Sequence, residues 1–243
     1  MDNRIGFRRN IYLAWMEAVA ALRVASADPV LIRARLDPIV ATVVKSDENR
    51  GYALTILLNI WVNSQRPYPR LHTAALELYQ HSTRAEDRRC LHYGMTLLSY
   101  PFFHQAVIAI GQHRRNHETM TSAELKKAMI AQRGHLGGLD NAVQRVIFSL
   151  RDWGILANTG QRYHYAPPST PSSPSSIPVE TWLLAAALST YPDKEIALTD
   201  LLRLPELFPF AIHLSIDALR QSPWFIVQRQ GIGIDMVRVR VGS

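Results

Sequence analysis

The chain has 243 residues, 47% of them hydrophobic, so it is long enough for one large or two to three small packed domains and too apolar to stay disordered. Lys and Arg number 27 against 20 Asp and Glu, and the resulting +7 suits a nucleic-acid partner. The single cysteine, Cys90, excludes an intramolecular disulfide and a cysteine-rich zinc site, and it fits a reducing cytoplasm. The excess charge is unevenly spread. Residues 1–98 hold 13 basic and 9 acidic side chains and residues 99–168 hold 8 and 4, whereas residues 169–243 hold 6 and 7. Any phosphate-binding surface is therefore expected in the first two segments.

The chain opens on a basic stretch, Arg4, Arg8 and Arg9, which reads as a solvated terminus or, alternatively, as an arm touching phosphates. Glu17 and Arg23 interrupt the apolar run that follows, which argues against a signal peptide. Residues 10–98 read as helices throughout. Tyr12, Trp15, Val19 and Leu22 form one stripe, and Asp28-Pro29 is an N-cap followed by proline at the first helical position. That helix runs to about Val44. Ser46 or Asp47 caps the next, which is apolar on nearly all sides from Tyr52 to Trp61 and is expected at the centre of its domain. Two further helices carry Leu71 to Tyr79 and Arg84 to Leu98. Short polar links between helices of similar length predict a bundle over residues 1–98. Cys90 and His92 stand two apart, about 200° around a helix, so they do not form a nucleophile pair and Cys90 is expected to be a buried thiol.

A second unit is expected over residues 99–167. It starts with a helix at 102–116. His113 and His117 have the i, i+4 spacing of two ligands on one helix face, but no third ligand is near in sequence and no metal is expected. Thr121 and Glu124 have the spacing of a capping box. After a glycine-rich break ending at Gly138, Leu139, Val143, Val146, Ile147, Leu150 and Trp153 recur at the helical period. Gly154 stops that helix. The stretch 155–167 then reads as a hairpin with Asn158-Thr159-Gly160 as its turn and Tyr163 and Tyr165 on one strand face. Pro and Ser dominate residues 168–177, a charge-free linker. The same order recurs over residues 178–243: an apolar helix, a short helix capped by Thr199, a helix from Ala211 to Gln221, and a hairpin with Gly231 and Gly233 at its turn.

Helix, helix, helix, hairpin is the order of the winged-helix family, which residues 99–167 resemble, most of all in the LRDWGIL stretch before the hairpin. Residues 178–243 look like a second winged helix. The fold class expected is thus mainly α, a helical N-terminal bundle followed by two winged-helix units. An all-helical first half with a helix–hairpin second half is also similar, in layout, to the BrxA components of bacterial BREX phage-defence systems. In winged helices the helix ending at Trp153 would be the recognition helix and the hairpin the wing. Its polar face offers Asn141, Gln144, Arg145 and Asp152, with Arg151 beside them; Asn and Gln pair with adenine, and Arg with guanine. Lys126, Lys127, Arg133 and His135 precede it and are expected at backbone phosphates, while Gln161 and Arg162 lie near the wing tip. The second unit exposes His213, Asp217, Arg220 and Gln221 and is expected to contact protein.

No phosphate-cradling glycine loop, zinc-protease motif or nucleophile elbow is present, so the sequence points away from an enzyme and implies no cofactor. The expectation is a cytoplasmic protein that binds double-stranded DNA through its first winged helix, as a transcriptional regulator or part of a larger complex. The helical bundle would hold a protein partner or a second protomer, and no membrane is involved. The alternative is a scaffold or adaptor subunit whose winged helices bind protein.

Overall fold

The computed structural model describes residues 6–63, 67–191, 195–230 and 234–240, except the side chains of Arg133, Gln230 and Ile234. It is mainly helical, with two small three-stranded antiparallel sheets. Six helices come first: α1 (Leu13–Ala25), α2 (Pro29–Ala41), α3 (Asp47–Trp61), α4 (Pro69–His81), α5 (Ala85–Ser99) and α6 (Pro101–Arg114). The caps read from sequence are in place. Asp28 accepts the Val30 amide ahead of Pro29, and Ser46 accepts the Asn49 amide. The centre of α3 is buried from Ala53 to Trp61 apart from Thr55 and the half-buried Asn59, while Tyr52 at its outer edge is 51% exposed.

From Gly6 onward the first segment is packed against the core. Arg4 lies outside the described residues, but Phe7 and Ile11 are fully buried. Phe7 packs at 5.6 Å from the Tyr100 ring and 5.3 Å from Phe103. Burying these two large apolar side chains, each contributing about 1.5–3 kcal/mol, offsets part of the cost of ordering the segment.

After α6 the chain forms β1 (Met120–Thr121), α7 (Ser122–Arg133), α8 (Leu139–Asp152), β2 (Ala157–Asn158) and β3 (His164–Ala166), with strand order β1-β3-β2. The capping box is formed. The Thr121 amide donates to Glu124 Oε2 at 2.7 Å, and the Glu124 amide returns a bond to Thr121 Oγ1. Gly154 ends the α8 turn with φ of 69°, a conformation glycine adopts without strain. The hairpin differs from expectation. Asn158 pairs with Tyr165 as strand, so the turn is the longer stretch 159–163. It closes through Thr159, whose amide donates to the His164 carbonyl and whose hydroxyl accepts the Gln161 amide. Tyr163 takes a left-handed φ of 64° in this turn and is 61% exposed, whereas Tyr165 is buried. The two tyrosines therefore do not share a strand face.

The remaining elements are α9 (Ile177–Ser189), β4 (Glu195–Ala197), α10 (Leu198–Leu201), a 3-10 turn (Pro205–Leu207), α11 (Ile216–Gln221), β5 (Phe225–Gln230) and β6 (Ile234–Val239). Their sheet order, β4-β6-β5, repeats that of the first sheet. Helix, strand, two helices, two strands is thus written twice. The strands β1 and β4 are additions to the sequence reading. Ala197, not Thr199, precedes α10, and Thr199 lies inside it. α11 is shorter than expected because Ser215 caps it, accepting the Ala218 amide, while Ala211 donates to the Ser172 carbonyl and is drawn into an extended path. The turn carrying Gly231 and Gly233 lies outside the described residues.

One hydrophobic cluster runs from Phe7 to Val237. The C-terminal third is sewn to the helical half by α9, buried at every position from Val179 to Ser189. The Trp182 indole donates to the Leu71 carbonyl at 2.9 Å, and the Tyr93 hydroxyl to the Glu206 carbonyl at 2.6 Å. Within the proline-serine stretch, the amide and hydroxyl of Ser175 both donate to the buried Asp87 carboxylate. Gly111 lies directly under the 3-10 turn, where a Cβ would stand 1.9 Å from the Pro205 carbonyl oxygen. Among the described residues no helix is long and apolar enough to cross a membrane.

Candidate nucleic-acid interface

Helix α8 is the most strongly two-sided helix of the chain. Leu139, Val143, Val146, Ile147 and Leu150 are buried on one face, and Trp153, one residue beyond its end, is fully buried. The opposite face divides into two edges with different fates. Asp140, Asn141, Gln144 and Arg151 are exposed. The other edge is met by the chain's own residues 10–13, with Asp152 on it still exposed. Arg145 is half-buried, and its Nη1 donates to Asn10 Oδ1 at 3.1 Å. Phe148 meets the Tyr12 ring at 5.1 Å. Ser149 Oγ accepts the buried Ile11 amide at 3.0 Å, Asp152 accepts the Leu13 amide at 2.6 Å, and the Trp153 indole donates to the Ile11 carbonyl at 2.8 Å. Tyr12, the residue before α1, has no side-chain cap of its own, so Asp152 supplies one from across the chain. Arg145 and Asp152 were expected on the free face. Both hold the first segment, Arg145 through the Asn10 side chain and Asp152, which stays exposed, through the Leu13 amide.

The other expected contacts distribute as follows. Lys126 forms an exposed ion pair with Asp140, Nζ to Oδ1 at 2.7 Å. Lys127 and His135 are exposed. Arg133 ends α7, and its side chain lies outside the described ones. Gln161 and Arg162 are exposed in the β2–β3 turn, Arg162 lying 4.7 Å over the Tyr163 ring; Arg151 lies 5.6 Å over the Tyr165 ring. α8 from its first turn to its last, α7 and the hairpin turn thus present Lys127, Asn141, Gln144, Arg151, Gln161 and Arg162 to solvent.

A polar groove of about 560 Å³ opens between the end of α6, the start of α7 and the hairpin turn. His113 and His117 stack with ring centroids 4.3 Å apart; His113 Nε2 lies 3.0 Å from the Thr119 carbonyl oxygen, and His164 Nδ1 lies 3.2 Å from the Thr119 hydroxyl. The hydrogen bonds from the Thr121 backbone and hydroxyl hold the Glu124 carboxyl below the usual carboxylate range. Among the described residues no group of three or more His, Cys, Asp and Glu is placed to hold a metal ion.

Two buried polar clusters lie elsewhere. Glu17 on α1 accepts the Tyr79 hydroxyl at 2.7 Å, lies 3.5 Å from Arg88, and has Oε1 3.1 Å from Nε2 of the fully buried His92. Burial pushes the Tyr79 hydroxyl up, and the adjacent Glu17 adds to the shift. Between α6 and the 3-10 turn, His104 Nε2 is 3.3 Å from the fully buried Glu206, which also accepts the Tyr191 hydroxyl. Both clusters tie helices together through pairings the sequence reading did not find, although it named Glu17 and His92 on other grounds; a histidine and a glutamate far apart in the chain give no spacing signal. Cys90 is fully buried, and burial pushes its thiol well above the ordinary range.

Comparison with models of known families, with curated proteins and with solved structures finds no match.

Proposed function

We propose that the two repeated units are winged helices and that the first binds duplex DNA, with α8 entering the major groove and the β2–β3 turn meeting the backbone. The observation that carries this reading is the exposed edge of α8. Asn141 and Gln144 are exposed and free to pair with base edges. Lys127 on α7, Arg151 in the last turn of α8 and Arg162 in the hairpin turn are exposed cations of the same unit, against the exposed carboxylate of Asp140. The doubled element order and matching sheet orders support the winged-helix assignment. In this reading the C-terminal unit anchors the fold, since its first helix is buried along its length against α4 and α5.

A second reading is favoured by a specific observation. Arg145 and Asp152 are spent on residues 10–13, and Lys126 on Asp140. A surface so committed suits a scaffold subunit whose partners are proteins. Fluorescence anisotropy with a labelled duplex, titrated at rising salt, separates the two. A phosphate-binding protein loses affinity steeply as salt rises; a scaffold gives no complex at any salt.

A further inference from the structure

A second basic site lies away from the exposed edge of α8. The segment before α1, helix α3 and the covered edge of α8 enclose a cleft of about 280 Å³. Two guanidiniums line it, Arg9 from the first segment and Arg145 from α8. None of its nine lining residues is acidic. Arg9 Nη2 donates to Asn49 Oδ1 at 2.7 Å and Nη1 to the Arg8 carbonyl at 3.0 Å, while its buried Nε has no partner among the described residues. Arg145 Nη1 reaches Asn10 Oδ1. The hydrogen-bond acceptors of these two cations are neutral oxygens, and the Arg9 guanidinium also lies 4.9 Å over the Tyr52 ring. Asp47 is bound to Arg50, and Asp152 to the Leu13 amide.

Two like charges held at one cleft without a carboxylate repel each other, and neutral acceptors relieve that only in part. An anion between them completes the arrangement, since guanidinium forks match phosphate and carboxylate oxygens. Beside the cations stand the rings of Tyr12 and the nearly buried Trp15, 4.5 Å apart between centroids. Trp15 backs the half-buried Tyr12 ring, and it is the Tyr12 ring that gives a flat apolar group a surface to lie against. We propose that this cleft binds a small organic anion, a phosphate or carboxylate carried on a planar ring, with Arg9 and Arg145 holding the anionic group. The site stands independently of the DNA reading.

The test is calorimetric titration of the full chain, at low ionic strength, with phenyl phosphate, inorganic phosphate and phenol. Phenyl phosphate is expected to saturate one site per chain, about tenfold more tightly than inorganic phosphate, with phenol far weaker. Arg9→Met and Arg145→Met should each weaken phenyl phosphate by about tenfold or more, and Arg145→Lys by less. The three-ligand comparison needs no variant, so a misfolded substitution leaves the test intact. Saturating duplex DNA should leave the titration unchanged. The proposal is overturned by absence of saturable binding, by phenol binding as well as phenyl phosphate, by folded Arg→Met variants that bind undiminished, or by competition from duplex DNA, which would assign the cleft to the DNA backbone.

Discussion

The Trp153 indole donates to the Ile11 carbonyl across 2.8 Å, joining the end of α8 to the first segment of the chain. Around this bond the Ser149 hydroxyl and the Asp152 carboxylate take up two more backbone groups of the same segment. One edge of α8 is therefore a structural clamp, and the opposite edge stays exposed.

The clamp should be measurable. Ser149→Ala leaves the buried Ile11 amide without its acceptor, at a cost of about 1–3 kcal/mol. Urea denaturation should show a lower midpoint with an unchanged slope. An unchanged midpoint would mean that the first segment contributes nothing to the cooperative fold.

Contact between α6 and the C-terminal unit predicts a contrast between two glycines. At Gly111 a Cβ would collide with the Pro205 carbonyl at 1.9 Å, and backbone on both sides leaves little room to yield. Gly111→Ala should cost about 1–3 kcal/mol or more. Gly137 has nothing within 4 Å of an added Cβ, so Gly137→Ala should stay within about 0.5 kcal/mol. Thermal melts of the two variants side by side check this.

The Glu17–His92 cluster predicts acid sensitivity. Burial holds the His92 imidazole below its ordinary pKa of 6.5, against the pull of Glu17. Burial also works to raise the Glu17 carboxyl, but hydrogen bonding and charge from His92, with Tyr79 and Arg88, bring it net below 4.5. With His92 uncharged at neutral pH, Tyr79 and Arg88 remain to hold the carboxylate. Both folded-state values are depressed, so the unfolded chain binds more protons as pH falls through these ranges. Stability is present above about pH 6.5 and falls first as His92 is forced to protonate, then again below 4.5 through Glu17. His92→Gln should flatten the decline that begins below about pH 6.5 and lessen the one below 4.5, because His92 also helps to hold the Glu17 carboxylate. Urea midpoints across that range, wild type against variant, give the answer; parallel curves would contradict it.

Local signals in the sequence carried the helices well. Asp28-Pro29, Ser46 and the Thr121–Glu124 box are short-range chemistry, and each sits where its residues demanded. The stripe ending in Trp153 was legible because a helix with one buried face writes its period into the chain. Elements decided by distant partners were not legible. The two- and three-residue strands β1 and β4 exist because a hairpin strand pairs with them. The stretch 211–214 has a helical pattern but is drawn to Ser172. At the site the division was similar. Exposure of Asn141, Gln144, Gln161 and Arg162 follows from helix phase and turn position, whereas the capture of Arg145 by Asn10 joins residues 135 apart and leaves no trace in local spacing.

The exposed edge of α8 faces its most direct trial in the salt dependence of duplex binding by the full chain, compared with Lys127→Ala and Arg162→Ala. The account predicts a complex at low salt whose log affinity falls linearly with log salt, and a slope shallower by about one for each variant. Gln144→Ala should weaken binding without changing that slope. No complex at low salt, or slopes identical in all the proteins, would contradict it.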